Sequence, residues 1–128
     1  MYALELDQSK RLLVISAAQR VTAEEAKMVA QRIRELLQDI TPGFRVLADF
    51  RGLESMDSAA ARHIAKIMDA LAEKEVASVT RVMPDPRKDI GLNILSQFHY
   101  GANVKIATFE TLADALQNIT AEADSPSA

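Results

Sequence analysis

Cysteine and tryptophan are both absent from these 128 residues, and aromatic side chains make up only 5%. Without cysteine there is neither a disulfide framework nor a thiolate metal site. The four glycines, Gly43, Gly52, Gly91 and Gly101, stand apart from one another. No glycine-rich loop can therefore cradle a phosphate, and Ser58 lacks the flanking glycines of a nucleophile elbow. No apolar run approaches the ~20 residues that span a bilayer. The opening Met1-Tyr2-Ala3-Leu4-Glu5 lacks the charged and apolar regions of a signal peptide, which makes the cytoplasm the expected location. Lys and Arg are scattered in a chain of net charge −3, and aromatics are too few for a stacking platform. Nucleic acid is not an expected partner.

Hydrophobic residues at 48% and charged residues at 26% describe a globular chain of one-domain length. Leu4 and Leu6 alternate with Glu5, and Leu12–Ile15 is a short apolar run. The polar Asp7-Gln8-Ser9-Lys10 between them predicts an opening β-hairpin. Thr22 with Glu25 three residues on forms a capping box. Behind it Ala26, Val29, Ala30, Ile33, Leu36, Leu37 and Ile40 recur at helical spacing until Pro42-Gly43. Phe44, Val46, Ala48 and Phe50 alternate as a strand near the sheet centre, which Gly52 is expected to break. A second helix then starts at Asp57-Ser58 and buries Ala60, Ile64, Ile67, Met68 and Leu71. Val79–Met83 is the next strand, stopped by Pro84-Asp85-Pro86. A helix from about Lys88 carries Leu92, Leu95 and Phe98 inward. Val104 and Ile106 mark the last strand, and a helix from Thr111 buries Leu112, Ala115, Leu116 and Ile119. The segment from Thr120 to Ala128 is small and polar and is expected to be a disordered tail behind a domain of residues 1–119.

The order ββαβαβαβα predicts an α/β domain with a mixed sheet of about five strands, parallel except for the hairpin. Lys105, Arg45 and Asp49 in strands mark a sheet face that helices do not fully cover, so the helices lie mainly on one side. Arg81 reads the same way. Arg87-Lys88 reads as solvated charge.

Few constellations could carry chemistry. His63 and His99 lack companions at metal-ligand spacing, and neither metal nor cofactor is expected. His63 reads as an outward-facing histidine beside Lys66 and Ala70. Asp57, Ser58 and His63 therefore make no triad, and no catalytic residue is assigned. What remains is Leu47-Ala48-Asp49-Phe50-Arg51-Gly52-Leu53-Glu54-Ser55-Met56-Asp57-Ser58, which leads from a strand into a capped helix. Sites in open α/β sheets form at such strand ends. Ser58 there is either a helix cap or a hydroxyl presented at an anion-favouring helix start.

With this segment in view, the chain resembles the STAS domains, the sulfate-transporter and anti-sigma-factor-antagonist family, over about residues 3–119. The likeness is strongest in Leu47-Ala48-Asp49-Phe50 and Leu53-Glu54-Ser55-Met56-Asp57-Ser58, and it recurs from Val104 to Leu116. It implies a bacterial partner switch, in which the domain binds an anti-sigma serine kinase and phosphorylation of the serine after the aspartate releases it. Carried onto this chain, Ser58 is the phosphoacceptor. Met56, Asp57, Asp49, Arg51 and Arg62 belong to the partner surface, with Arg51 in the preceding loop and Arg62 one turn on as screening cations. The family continues after Asp-Ser with Ser or Thr, then Gly, then a large aliphatic residue, whereas this chain has Ala59, Ala60 and Ala61. That departure leaves a second expectation open: a phosphorylation-independent binding module for a transporter subunit, a lipid or another small apolar ligand.

Overall fold

The computed structural model describes residues 1–124. β1 (Tyr2–Asp7) and β2 (Leu12–Val21) form the expected antiparallel hairpin. Its turn is held by the Asp7 carboxylate, which accepts from Ser9 Oγ at 2.7 Å and Lys10 N at 3.1 Å. β3 (Arg45–Met56), β4 (Ser78–Val82) and β5 (Lys105–Phe109) follow in parallel, in the sheet order β1-β2-β3-β4-β5. The helices are α1 (Ala23–Leu36), α2 (Ala61–Glu73), α3 (Ile90–His99) and α4 (Leu112–Asp124).

Alternation along β3 divides the core in two. Val46, with Leu13 and Val79 of the neighbouring strands, packs under Val29 and Ile33 of α1, Leu37 just after it, and Ile67 and Leu71 of α2. Leu47 points the other way and meets Ala115 and Ile119 of α4. Three helices thus cover one face and α4 part of the other, as the charged strand residues predict. Arg45 is an anchor for α4, its guanidinium donating to Ile119 O at 2.6 Å. Ser78 Oγ donates to Glu122 at 2.8 Å on the same side. These ties carry α4 on to Asp124, so the helix takes up the first part of the segment expected to be a tail. The rest of that segment, 125–128, lies outside the described residues.

Thr22 caps α1, its Oγ1 accepting from Glu25 N at 3.1 Å. The other half of the capping box is diverted, because Glu25 Oε2 binds the Met1 amine at 2.7 Å.

Gly52 does not break β3, which pairs with β2 as far as Val21↔Met56, past two register shifts that each take up one extra residue in β3. β4 stops beside Asp49, so the ends of β2 and β3 run on as a two-stranded ribbon. Glycine is required at position 52 for space: a Cβ there would lie 3.0 Å from Ala18 Cβ and 3.4 Å from Ala18 Cα. Gly52→Val is expected to cost about 1–3 kcal/mol by overpacking, measured by urea unfolding, and Ala18→Gly in the same chain is expected to restore part of it.

Phe98 and Leu116, expected inside, are 80% and 45% exposed. Leu92 and Ala115 take the buried positions of those helices. Arg81 does not mark the thinly covered face. It lies on the other side of the sheet beneath α3 and is 2% exposed.

His63 is buried rather than outward, 6% exposed, because the face of α2 that carries it and Ala70 is closed off within the fold. Burial, reinforced by Arg62, Lys66 and Lys27, pushes its imidazole below the usual range. The unfolded chain therefore binds this proton more readily than the folded one. Stability from this group is complete above about pH 6.5. It falls as the pH drops from there toward the lowered folded value. Thermal unfolding of wild type and His63→Gln between about pH 8 and pH 5 is expected to show a steeper acid loss in the wild type. Parallel curves would refute this.

Candidate functional site

The β2–β3 ribbon ends where Asp57 N donates to Val21 O at 2.9 Å. Asp57 is still extended, at φ −62° and ψ 139°, and Ser58–Ala60 makes a single 3-10 turn that leads directly into α2. The turn is closed by the backbone, Ala60 N donating to Asp57 O at 2.9 Å. No side chain caps it. Asp57 instead accepts from Arg20 Nε at 2.7 Å, across the ribbon on β2. Ser58 is exposed, and its hydroxyl makes no hydrogen bond with another described residue. The helix-cap alternative for Asp57 or Ser58 is thus not what their side chains do.

Beside this turn an open groove of about 470 Å³ separates the ribbon end from α3. Leu53, Met56, Leu92, Ile94 and Leu95 give it an apolar floor, with Asp57, Ser58, Glu54 and Lys88 along it. Lys88, expected to be merely solvated, donates from Nζ to Leu53 O at 3.0 Å. Arg87 forms an ion pair with Asp85 at 3.2 Å.

The structure divides the residues expected to act together. Met56, Asp57 and Ser58 share the groove. Asp49 and Arg51 do not. Arg51 is a strand residue rather than a loop residue, locked to Asp49 by two bonds of 2.9 Å. Arg51 also holds the Asp49 carboxyl below its ordinary range. At about 3.3 Å per residue, Arg51 lies roughly 17 Å of strand before Met56, so it does not screen Ser58. The pair borders a different opening of about 420 Å³, with Ala3 and Ser16. Arg62 is exposed, and its Nε approaches His63 Nε2 at 3.4 Å. The cations that sequence reasoning missed are Arg20 and Lys88. Arg20 stands 37 positions from Asp57, and only the register of β2 on β3 brings them together.

A second feature lies inside the domain. Arg81 donates to Ser96 Oγ at 2.9 Å, Asn93 Oδ1 at 2.5 Å and Thr108 Oγ1 at 3.4 Å, tying α3 to β4 and β5. It borders an apolar cavity of about 80 Å³ between the sheet and α1, α2 and α3, lined by residues such as Ile15, Val29, Val46, Ile67 and Leu92. Tyr100 also lines it, and burial pushes its phenol well above the ordinary value. Among the described residues no three His, Asp or Glu side chains gather as a metal site, and no helix is long and apolar enough to cross a membrane.

The topology and the serine-bearing turn define a small α/β domain built on a mixed five-stranded sheet. No protein-family model matches the chain, and no curated protein matches it. Solved structures do. An uncharacterized DUF3478-family protein with a SpoIIAA-like fold from Shewanella loihica PV-4 superposes with a TM-score of 0.71 at 21% identity, over 92% of this chain and 93% of that one. The Bacillus cell fate determinant SpoIIAA in its phosphorylated form gives 0.61 at 18% identity, over 93% and 99%. An anti-sigma factor antagonist from Mycobacterium paratuberculosis gives 0.59 at 19% identity, over 94% and 95%. The chain has the SpoIIAA-like STAS fold.

Proposed function

We propose that this domain is a non-catalytic regulatory module that binds a protein partner of the anti-sigma-factor or serine-kinase type, and that phosphorylation of Ser58 releases the partner. The observation that carries the reading is the free hydroxyl of Ser58 at the start of a helical turn, on the lip of an apolar groove. A solved neighbour that carries phosphate supports it. Because Asp57 is engaged by Arg20 and the turn is closed by backbone, Ser58 can change its chemistry without unfolding α2. A kinase would transfer the γ-phosphoryl of ATP to Ser58 Oγ, forming the O–P bond as ADP leaves and the hydroxyl proton passes to the kinase base. The product adds about −1.5 to −2 charges at pH 7, placed where backbone N–H groups of the turn favour an anion. The same charge would sit at the edge of Leu53, Met56 and Ile94, where docking removes water. Intact mass after incubation with kinases from the same genome tests the transfer: a phosphate gain that Ser58→Ala abolishes supports it, and no gain in the wild type refutes it.

The apolar cavity favours a second reading, a carrier of a small apolar molecule. About 80 Å³ admits a small fragment rather than a lipid chain unless α3 moves. Native mass spectrometry of the freshly isolated protein decides it, since a copurifying apolar ligand supports this reading and a bare mass refutes it.

A further inference from the structure

α3 buries Leu92 and Ser96 and turns the opposite stripe outward. Ile90, Ile94 and Phe98 are 59%, 51% and 80% exposed, and their spacing of four places them in a row. From Ile90 to Val104 there is no Asp, Glu, Lys or Arg, in a chain where 26% of residues are charged. Gly91, beside the row, has open space where a side chain would stand.

We infer that this stripe is the contact between two copies of the chain, α3 packing antiparallel on α3 of the second copy about a two-fold axis at Ile94. The pattern is symmetric about its centre. Reversing the helix places Ile90 against Phe98 of the other copy and Ile94 against its own counterpart, as an isologous contact requires. The missing charges point the same way. A foreign partner would gain specificity from complementary charges, and the row along α3 itself carries none, those of Glu54, Asp57 and Lys88 lying in the groove at its margin. Two molecules that each carry −3 can meet here without bringing like charges together. Gly91 allows close approach of the helix backbones.

The size of the contact sets its strength. Ten residues of helix span about 15 Å, which with three apolar side chains falls at the small end of protein interfaces. The dimer is therefore weak and concentration-dependent. Ile94 also lines the groove beside Ser58, so self-association and occupation of that groove compete. The contact itself stands whether or not Ser58 is a phosphoacceptor.

Sedimentation velocity from ~5 to ~500 µM tests it on the whole chain. The expected weight-average mass rises from 14.0 kDa toward twice that value. Ile94→Glu sets two carboxylates together at the axis and is expected to weaken association roughly tenfold or more. The absence of native cysteine permits a second test that does not rest on stability. Ile94→Cys is expected to cross-link to itself under mild oxidation. Ile90→Cys and Phe98→Cys are expected to cross-link faster when mixed than either does alone. A chain monomeric at the highest concentration, or no preference for the mixed pair, overturns the inference.

Discussion

Replacing Arg81 with alanine is expected to lower the unfolding free energy by about 3 kcal/mol. The side chain is 2% exposed and joins three strand or helix partners that are distant in sequence. Truncation leaves a void under α3 and strips the buried Ser96 hydroxyl and the Asn93 carbonyl of a charged donor. Ser96 keeps its bond to Leu92 O at 2.7 Å, and Asn93 is exposed enough to reach water. Arg81→Met, which fills most of the volume, is therefore expected to cost less than half as much, since a buried ion replaced by apolar volume loses little net energy. Urea unfolding gives both values, and amide exchange in α3 is expected to rise most in the alanine variant. Equal losses in the two variants would mean that polar ties, not packing, hold α3. No loss in either would remove Arg81 as an anchor.

Ser58→Asp is expected to weaken binding of a groove-docked partner by roughly ten- to a hundredfold, with Ser58→Ala close to wild type. A charge at the lip must lose its water against Met56 and Ile94, whereas the turn itself needs nothing from the Ser58 hydroxyl. Calorimetric titration with a partner identified by co-purification measures this. Gln38→Asp, at an exposed position just after α1, is the control and is expected to leave affinity unchanged. If Ser58→Ala alone weakens binding as much as the aspartate, the hydroxyl is a direct contact and not a switch.

The elements and turns that sequence reasoning placed well are those whose signal is local. The Asp-Ser step after an alternating strand reads correctly as a strand-to-helix turn, because turn chemistry and periodicity act within a few residues. Ser58 was legible for that reason. Its surroundings were not. Arg20 reaches Asp57 from β2, Lys88 and Ile94 reach the groove from the turn before α3 and from α3 itself, and Arg51 is removed from it by the extended path of β3. Gly52 carries the same lesson, since the Ala18 contact that requires it comes from the neighbouring strand.

By itself the sequence determined the element order, the parallel sheet with its opening hairpin and the serine at the strand end, because hydrophobic period and capping residues are written along the chain. Only the tertiary structure decided which side chains are inside and which are left outside. His63, Arg81 and Phe98 each lie opposite to their expected placement. A helix position is buried or exposed according to what packs beside it. Here that is the closed face of α2, the seat of α3 on β4 and β5, and the row of side chains that α3 leaves uncovered.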